Sequence, residues 1–177
     1  PTHKLSSHYY LNCLYTNPTS LHNKMNILEA KIVNEKPDIM FFAETWFRMD
    51  SCPSLKGYNI FRRDRVKRIG GGVCIYVKSS LKSYSFLEAE LGIVEPAVAT
   101  IWCVVCVGGE SVLVGCVYRQ GDSDCRVNSQ IFEGLSKARK LVDSKRFSGL
   151  LIAGDFNFWE IDWPLCENLG PGAGLSF

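Results

Sequence analysis

Apolar and polar positions along the chain group into segments with strand-like or helix-like periodicity. The predicted strands cover residues 9–15, 39–43, 58–61, 72–77, 98–107, 111–118 and 150–153. Segment 39–43 is apolar throughout, which is typical of a strand covered on both faces. Gly108-Gly109 separates two of the longer strands and predicts a hairpin. The chain is therefore predicted to be rich in strands.

Two segments show helical spacing instead. Residues 21–34 follow a turn at 17–20 that offers a helix N-cap, and Pro37 ends the segment. Residues 128–145 form a second amphipathic segment. The predicted apolar faces are Leu21, Met25, Leu28 and Ile32 in the first helix and Ile131, Leu135, Ala138 and Val142 in the second. Many strands and few helices predict an α/β (α+β) domain over 1–177, with a mixed sheet or two packed sheets and outer helices.

Composition narrows the classes of function. The net charge of the 177 residues is only +2, so nucleic-acid binding would need a local basic patch. No apolar run is long enough to span a bilayer, and the first residues lack the apolar core of a secretory signal. We expect an intracellular protein with reduced thiols. Cys103 and Cys106 do not predict zinc, because i and i+3 face opposite sides of a strand.

Polar residues recur where predicted strands end. Asn17, Glu44, Tyr118, Asp155 and Asn157 all occupy such positions, the last two within the tetrapeptide 154–157. Each has an ordinary explanation as a turn, a helix start or a half-buried aromatic residue. Their recurrence suggests a shared site, because strand ends meet at one rim of a sheet. Carboxylates and amides with few histidines suit a hard ion, Mg²⁺ or Mn²⁺.

Segment 62–68 is the most basic part of the chain and precedes Gly70-Gly71-Gly72. The glycines lead into a strand, so they do not form a nucleotide-binding P-loop. The segment is either a flexible loop that contacts nucleic-acid phosphates or an ordinary solvated loop. The candidate nucleic-acid contacts are Arg62, Arg63, Arg65, Lys67, Arg68 and Arg119.

The order and spacing of these motifs resemble the endonuclease/exonuclease/phosphatase superfamily, whose fold is that of deoxyribonuclease I and the apurinic endonucleases. More narrowly, the chain looks like the endonuclease domain of a non-LTR retrotransposon polyprotein. Glu44-Thr45-Trp46 and Ile161-Asp162-Trp163 favour that branch. The stretches that carry the resemblance are 14–17, 37–46, 68–77, 117–119, 154–157 and 161–163.

The resemblance implies a four-layer α/β sandwich, with two packed mixed sheets and outer helices. It also implies Mg²⁺-dependent (or Mn²⁺-dependent) nicking of DNA in the nucleus, by a chain whose parent continues into a reverse transcriptase. A monomer is the default expectation for its oligomeric state.

The resemblance also assigns a role to each candidate site residue. By position, Glu44 and Asn17 would hold the metal, and Tyr118 would contact the phosphate. Asp155 would orient or deprotonate water, and Asn157 would stabilise the transition state.

One departure from the family pattern concerns a catalytic histidine, which the superfamily carries in a Ser-Asp-His motif near the C-terminal end of the domain. The histidines of this sequence are His3, His8 and His22, none of which fits that position. We therefore expect a domain that lacks its C-terminal part, nicks DNA poorly on its own and exposes a sheet edge prone to aggregation.

Two alternative functions remain open. The chain could be a catalytically dead remnant that binds nucleic acid through segment 62–68. It could also be a phosphatase or phosphodiesterase of the same superfamily that acts on small substrates.

Overall fold

The computed structural model describes residues 10–65, 70–94 and 98–157. Two α-helices, α1 (Met25–Glu35) and α2 (Cys125–Asp143), accompany short 3₁₀ helices at Leu21–Lys24 and Glu88–Leu91. The strands are β1 (Cys13–Thr16), β2 (Ile39–Ala43), β3 (Tyr58–Arg63), β4 (Val73–Lys78), β5 (Ser83–Phe86), β6 (Ala99–Val107), β7 (Glu110–Tyr118) and β8 (Gly149–Asp155). None of the helices in these ranges has the length and apolar character needed to cross a membrane.

The strands form two four-stranded mixed sheets, with orders β1-β2-β4-β3 and β5-β6-β7-β8. Strands β1 and β2 run parallel, as do β7 and β8, while the remaining neighbours are antiparallel. The inner faces meet in a core that includes Phe41, Ile75, Cys103 and Val114. Every residue of β2 is buried, which confirms that its uninterrupted apolar run belongs to a strand covered on both faces.

The helices cover the outer faces of the two sheets. Leu28 of α1 belongs to a cluster with Met40 and Phe42, which point away from the inner core. Ile131 and Ala138 of α2 pack in a cluster with Trp102. The result is a helix, two sheets and a second helix in sequence, so the predicted four-layer α/β sandwich is confirmed.

Parallel pairing brings the exits of four strands to one rim. Thr16 pairs with Phe42 in the first sheet, so the chain leaves β1 and β2 on the same side. Tyr118 pairs with Asp155 in the second sheet, with the same consequence for β7 and β8. The residues that follow these strands therefore share an edge of the sandwich, which we call the rim.

Several boundaries differ from the sequence-based expectation. Strand β5 was not predicted, because its sequence Ser-Tyr-Ser-Phe carries few β-branched residues. Helix α2 begins three residues earlier than expected, since the Asp124 side chain caps it by accepting from the amides of Arg126 and Val127. Ser20 occupies the N-cap position of the first 3₁₀ helix but makes no side-chain capping bond.

Candidate active site

Glu44 lies immediately after β2 and is fixed by donors from separate parts of the chain. Its Oε2 accepts a hydrogen bond from Trp46 Nε1 at 2.6 Å and from the Gly71 amide at 2.9 Å. The Tyr118 hydroxyl donates a further bond to the carboxylate. A carboxylate that accepts from several donors is arranged to carry a negative charge.

The surroundings of Glu44 and Tyr118 shift the pKa values of both side chains. Partial burial raises the pKa of Glu44, but the bonds from Tyr118, Gly71 and Trp46 and the nearby charge of Arg65 together bring it below its ordinary value. Burial raises the pKa of Tyr118, and its bond to Glu44 raises it further. At neutral pH Glu44 is therefore ionised and Tyr118 keeps its proton.

The backbone around Glu44 is unusual because it must turn sharply. Glu44 and Trp46 both have positive φ angles, of 53° and 55°. The amide of Trp46 donates to the Gly71 carbonyl at 3.0 Å, which ties this turn to the glycine segment before β4. Gly72 has φ +83°, and a Cβ there would lie 2.5 Å from Thr45 Oγ1. Glycine is therefore required where the segment closes over the turn that presents Glu44.

A second pair joins the two sheets at the rim. Asn17, after β1, donates from Nδ2 to Asp155 Oδ2 at 2.9 Å, and its Oδ1 accepts from the Thr19 amide at 3.2 Å. Asp155 ends β8 after Gly154, where a Cβ would lie 1.9 Å from the Val117 carbonyl oxygen. The close approach of these strand ends therefore depends on glycine at 154 and positions the Asp155 carboxylate.

Asn157 and Arg119 form a third contact next to the rim. Asn157 Nδ2 donates to the Arg119 carbonyl at 2.7 Å, and Arg119 Nη1 donates back to the Asn157 carbonyl at 2.9 Å. Arg119 is 7% exposed and also donates from Nε to Asn128 Oδ1 of α2. The predicted nucleic-acid contact Arg119 is thus placed inside the protein, where it links two strand ends to α2.

The structure connects four of the five predicted site residues directly and the fifth, Asn157, through Arg119. Tyr118 bonds to Glu44 and is the register partner of Asp155, which bonds to Asn17. Asn157 lies two residues beyond Asp155 and joins the cluster through Arg119. Sequence reasoning missed the donors Trp46 and Gly71, although both lie in motifs that it had singled out.

The basic segment is arranged differently from the expected loop. Arg62 and Arg63 are the last residues of β3, and their side chains meet Asp64 and Glu88 at 3.4 and 3.5 Å. The interpretation of both as flexible-loop residues is therefore wrong, because strand pairing with β4 continues to Arg63. Arg65 follows the strand and donates from Nη2 to Gln120 Oε1 at 2.8 Å. Lys67 and Arg68 lie outside the described residues. So do His3, His8 and the 161–163 motif.

A family model decides the classification. The model of the Endonuclease/Exonuclease/phosphatase family matches residues 10–174. The chain belongs to this family. No curated protein matches the chain.

Solved structures of this superfamily share the fold at low sequence identity. The 3′ phosphatase NExo from Neisseria, bound to a product DNA hairpin, is 20% identical with a TM-score of 0.61, over 86% of this chain and 60% of that one. The AP endonuclease LMAP from Leishmania major is 18% identical with a TM-score of 0.61, over 82% of this chain and 54% of that one.

A third neighbour is the endonuclease domain of TRAS1, a telomere-specific non-LTR retrotransposon. It is 16% identical with a TM-score of 0.56, over 83% of this chain and 60% of that one. The chain therefore spans between half and two thirds of the length of each of these three structures.

Members of the Endonuclease/Exonuclease/phosphatase family generally use divalent metal ions, and the rim can be tested for that use. Within the described ranges, no three or more His, Cys, Asp or Glu side chains group as a metal site. Mg²⁺, however, is often held by one or two carboxylates, with water and substrate phosphate completing its shell. The ionised Glu44 and the Asn17 and Asp155 oxygens supply that kind of donor set, so the residues present fit a hard divalent ion.

Proposed function

We propose that this chain forms the core of a divalent-metal-dependent DNA endonuclease that nicks target DNA for a non-LTR retrotransposon. The observation that carries the proposal is the connected cluster of Glu44, Tyr118, Asp155 and Asn17 at the rim. It combines an ionised carboxylate, a protonated hydroxyl and a second carboxylate oriented by an amide. Phosphodiester hydrolysis needs these groups for positioning and for charge stabilisation.

The resemblance suggests a role for each residue, and the bonds of each support that role. Glu44, with Asn17, would hold Mg²⁺ or Mn²⁺, which when bound neutralises phosphate charge. Asp155 would orient or deprotonate the attacking water, with one of its carboxylate oxygens held by the Asn17 side chain. Tyr118 keeps its proton and would contact the phosphate, its single O–H turning from Glu44 to a phosphate oxygen. Asn157, held against Arg119, stabilises charge in the transition state.

The placement of histidine supports low activity for residues 1–177 taken alone. His22 is the histidine within the described ranges, and its ring packs on Phe47 with Nδ1 3.4 Å from Ser51 Oγ. It therefore contacts residues other than those of the cluster. The resemblance gives the second proton-transfer role to a histidine, and the described residues bring none to the cluster.

The retrotransposon assignment is supported by Trp46 in particular. The Glu44-Thr45-Trp46 motif that suggested this branch has a physical purpose here, since the indole N–H donates to the Glu44 carboxylate. The TRAS1 domain shares the fold of this chain. We extend the proposal to DNA as partner, a nuclear location, a single domain over 1–177 that is monomeric within the intact parent protein, and a parent polyprotein that carries a reverse transcriptase.

Nicking of supercoiled plasmid by the longest reading frame that contains this chain tests the function. With Mg²⁺ we expect nicking that EDTA abolishes. Glu44→Gln and Asp155→Asn should each reduce the nicking rate by at least about a hundredfold. Each replaces a carboxylate that is proposed to hold the metal ion or to act on the attacking water. For residues 1–177 alone we expect little or no turnover.

Asp143→Asn is a matched control, because Asp143 is an exposed carboxylate that pairs with Arg139 on α2. It should nick at the wild-type rate. Full activity in Glu44→Gln would overturn the proposed site. Salt-dependent DNA binding without cleavage in every form would instead support a catalytically dead remnant.

A second candidate, hydrolysis of small phosphate esters, is favoured by one observation. A pocket adjoins Tyr118, and its lining includes the charged side chains of Arg63, Asp64 and Arg65. Such a pocket suits a terminal phosphate as well as a DNA strand. Comparing turnover of a plasmid, a 3′-phosphorylated oligonucleotide and a small phosphodiester under identical Mg²⁺ conditions separates the two functions.

A further inference from the structure

Arg65 and Gln120 bridge one side of the pocket beside Tyr118. Arg65 follows β3 and Gln120 follows β7, so the 2.8 Å bond from Arg65 Nη2 to Gln120 Oε1 joins the two sheets. Both residues are partly buried and line the same pocket as Tyr118. A guanidinium in this position is fixed, unlike the mobile basic side chains of a solvated loop.

The aliphatic part of the Arg65 side chain is also held by a contact with Gly71. It packs on Gly71, where a Cβ would lie 3.1 Å from Arg65 Cδ. The amide of the same glycine donates to Glu44 Oε2. Arg65 is thus held at its stem by the segment that orients Glu44 and at its head by Gln120.

Charge separates Arg65 from its neighbours in the basic segment. Arg62 and Arg63 each meet a carboxylate, Asp64 and Glu88 respectively. Within the described residues Arg65 bonds to the neutral amide of Gln120, which orients its positive charge without neutralising it, and the Glu44 carboxylate lies near enough to feel that charge. A fixed, partly desolvated guanidinium in a pocket is suited to bidentate recognition of a phosphate.

The geometry points to Arg65 as the group that binds a backbone phosphate next to the cleaved bond, with Gln120 as the residue that positions it. This inference rests on the proposed function and deepens it, since it names the substrate contact and the side chain that aims it. Gln120 needs no contact with DNA, because its amide oxygen acts through Arg65.

Binding of a short fluorescein-labelled DNA duplex in EDTA tests the inference without cleavage. Arg65→Met should weaken binding about tenfold at low salt and reduce the slope of log Kd against log salt by about one, as expected for one lost phosphate contact. Arg139→Met, which removes an exposed arginine of α2, is the matched control and should leave the slope unchanged. Equal slopes for the two variants would overturn the role of Arg65.

Two substitutions at position 120 separate positioning from structure. Gln120→Glu keeps an acceptor but neutralises the guanidinium, so the salt slope should fall as it does in Arg65→Met. Gln120→Met removes the acceptor and leaves the charge, so the slope should persist. Circular-dichroism melts should show that all variants fold.

Single methylphosphonates along the duplex show where Arg65 is aimed. A methylphosphonate removes the charge of one phosphate, and at one position it should weaken binding of the wild-type protein. The same change should leave binding by Arg65→Met unaffected. In Gln120→Met the effect should no longer depend on a single position. Retention of the full wild-type pattern by Gln120→Met would overturn the positioning role.

If wild type nicks and binds DNA but Arg65→Met matches Arg139→Met, only this inference fails. If wild type shows no salt-dependent binding, the proposed function fails with it.

Discussion

Glu44 shows how a single ionised side chain is prepared at the level of individual bonds. Burial disfavours its charge, and three donors with the nearby Arg65 outweigh that cost. The indole N–H of Trp46 lies 2.6 Å from Glu44 Oε2, closer than the Gly71 amide at 2.9 Å. The stability that these donors provide depends on the charge of Glu44 and therefore on pH.

Trp46→Phe tests this dependence, because phenylalanine keeps the ring and removes the N–H. At neutral pH we expect a loss of about 1 kcal/mol in the free energy of unfolding, the lower end for a bond to a charged group that is only partly shielded from solvent. The folded-state pKa of Glu44 is lowered, so its contribution is complete above the ordinary value of 4.5 and disappears as the pH falls through the folded-state value. The destabilisation should therefore shrink in acid.

Urea unfolding of wild type and Trp46→Phe at neutral and acidic pH measures the difference. A loss of the same size at both pH values would contradict the charge-dependent role of Trp46. The matched control is Trp102→Phe, because the Trp102 indole nitrogen is buried without a hydrogen-bond partner among the described residues, so its loss has no link to Glu44.

At the scale of elements, the contact between β6 and β7 is limited by one glycine. A Cβ at Gly115 would lie 2.5 Å from the ring of its register partner, Trp102, which is fully buried. The wide indole therefore occupies the space that a side chain at 115 would take. This pairing fixes how α2 and the second sheet pack.

Gly115→Ala should destabilise the domain by about 1–3 kcal/mol, because a buried ring cannot move without disturbing the core around it. Gly121→Ala is the control, since a Cβ there meets nothing within 4 Å. Thermal unfolding followed by circular dichroism would show a clear fall in Tm for the first variant and almost none for the second. Equal Tm values would contradict the packing argument.

The elements also show what periodicity can and cannot predict. The buried run of β2 and the hairpin at Gly108-Gly109 follow from local chemistry, and both were predicted. The end of β3 at Arg63 was not predicted, because strand pairing with β4 overrides the preference of charged residues for loops. The cap at Asp124 was available in the sequence but lay ahead of the first strongly periodic residues.

The site was predictable by residue type and not by contact. The positions after the strands pointed to Asn17, Glu44, Tyr118 and Asp155, because strand ends converge. The bonds of Arg65 with Gln120 and of Arg119 with Asn128 join distant segments and depend on how the sheets pack. Such pairings have no periodic signal, so a single sequence does not disclose them.

At the scale of the whole molecule, β8 is the least covered of the long strands. All seven of its residues are only partly buried, although most are apolar, and among the described strands it pairs with β7 alone. An apolar edge with unpaired backbone groups is a site for association.

Residues 1–177 should therefore self-associate at increasing concentration, as measured by sedimentation velocity. Gly149→Lys at the start of β8 should reduce the association, because a Cβ there makes only ordinary contact with Val112 and a lysine at an edge strand opposes pairing. Phe132→Lys, at an exposed position on α2, is the control and should leave association unchanged. A monomer at all concentrations would contradict this prediction.

The bond between Asn17 and Asp155 spans 138 positions of the chain. Its two halves belong to different sheets, so neither sheet alone can assemble the proposed centre. Closing such a distant contact is slow, since a large loop must be ordered before the contact forms. The proposed centre is therefore among the last parts of the molecule to mature and among the first to be lost when the layers separate.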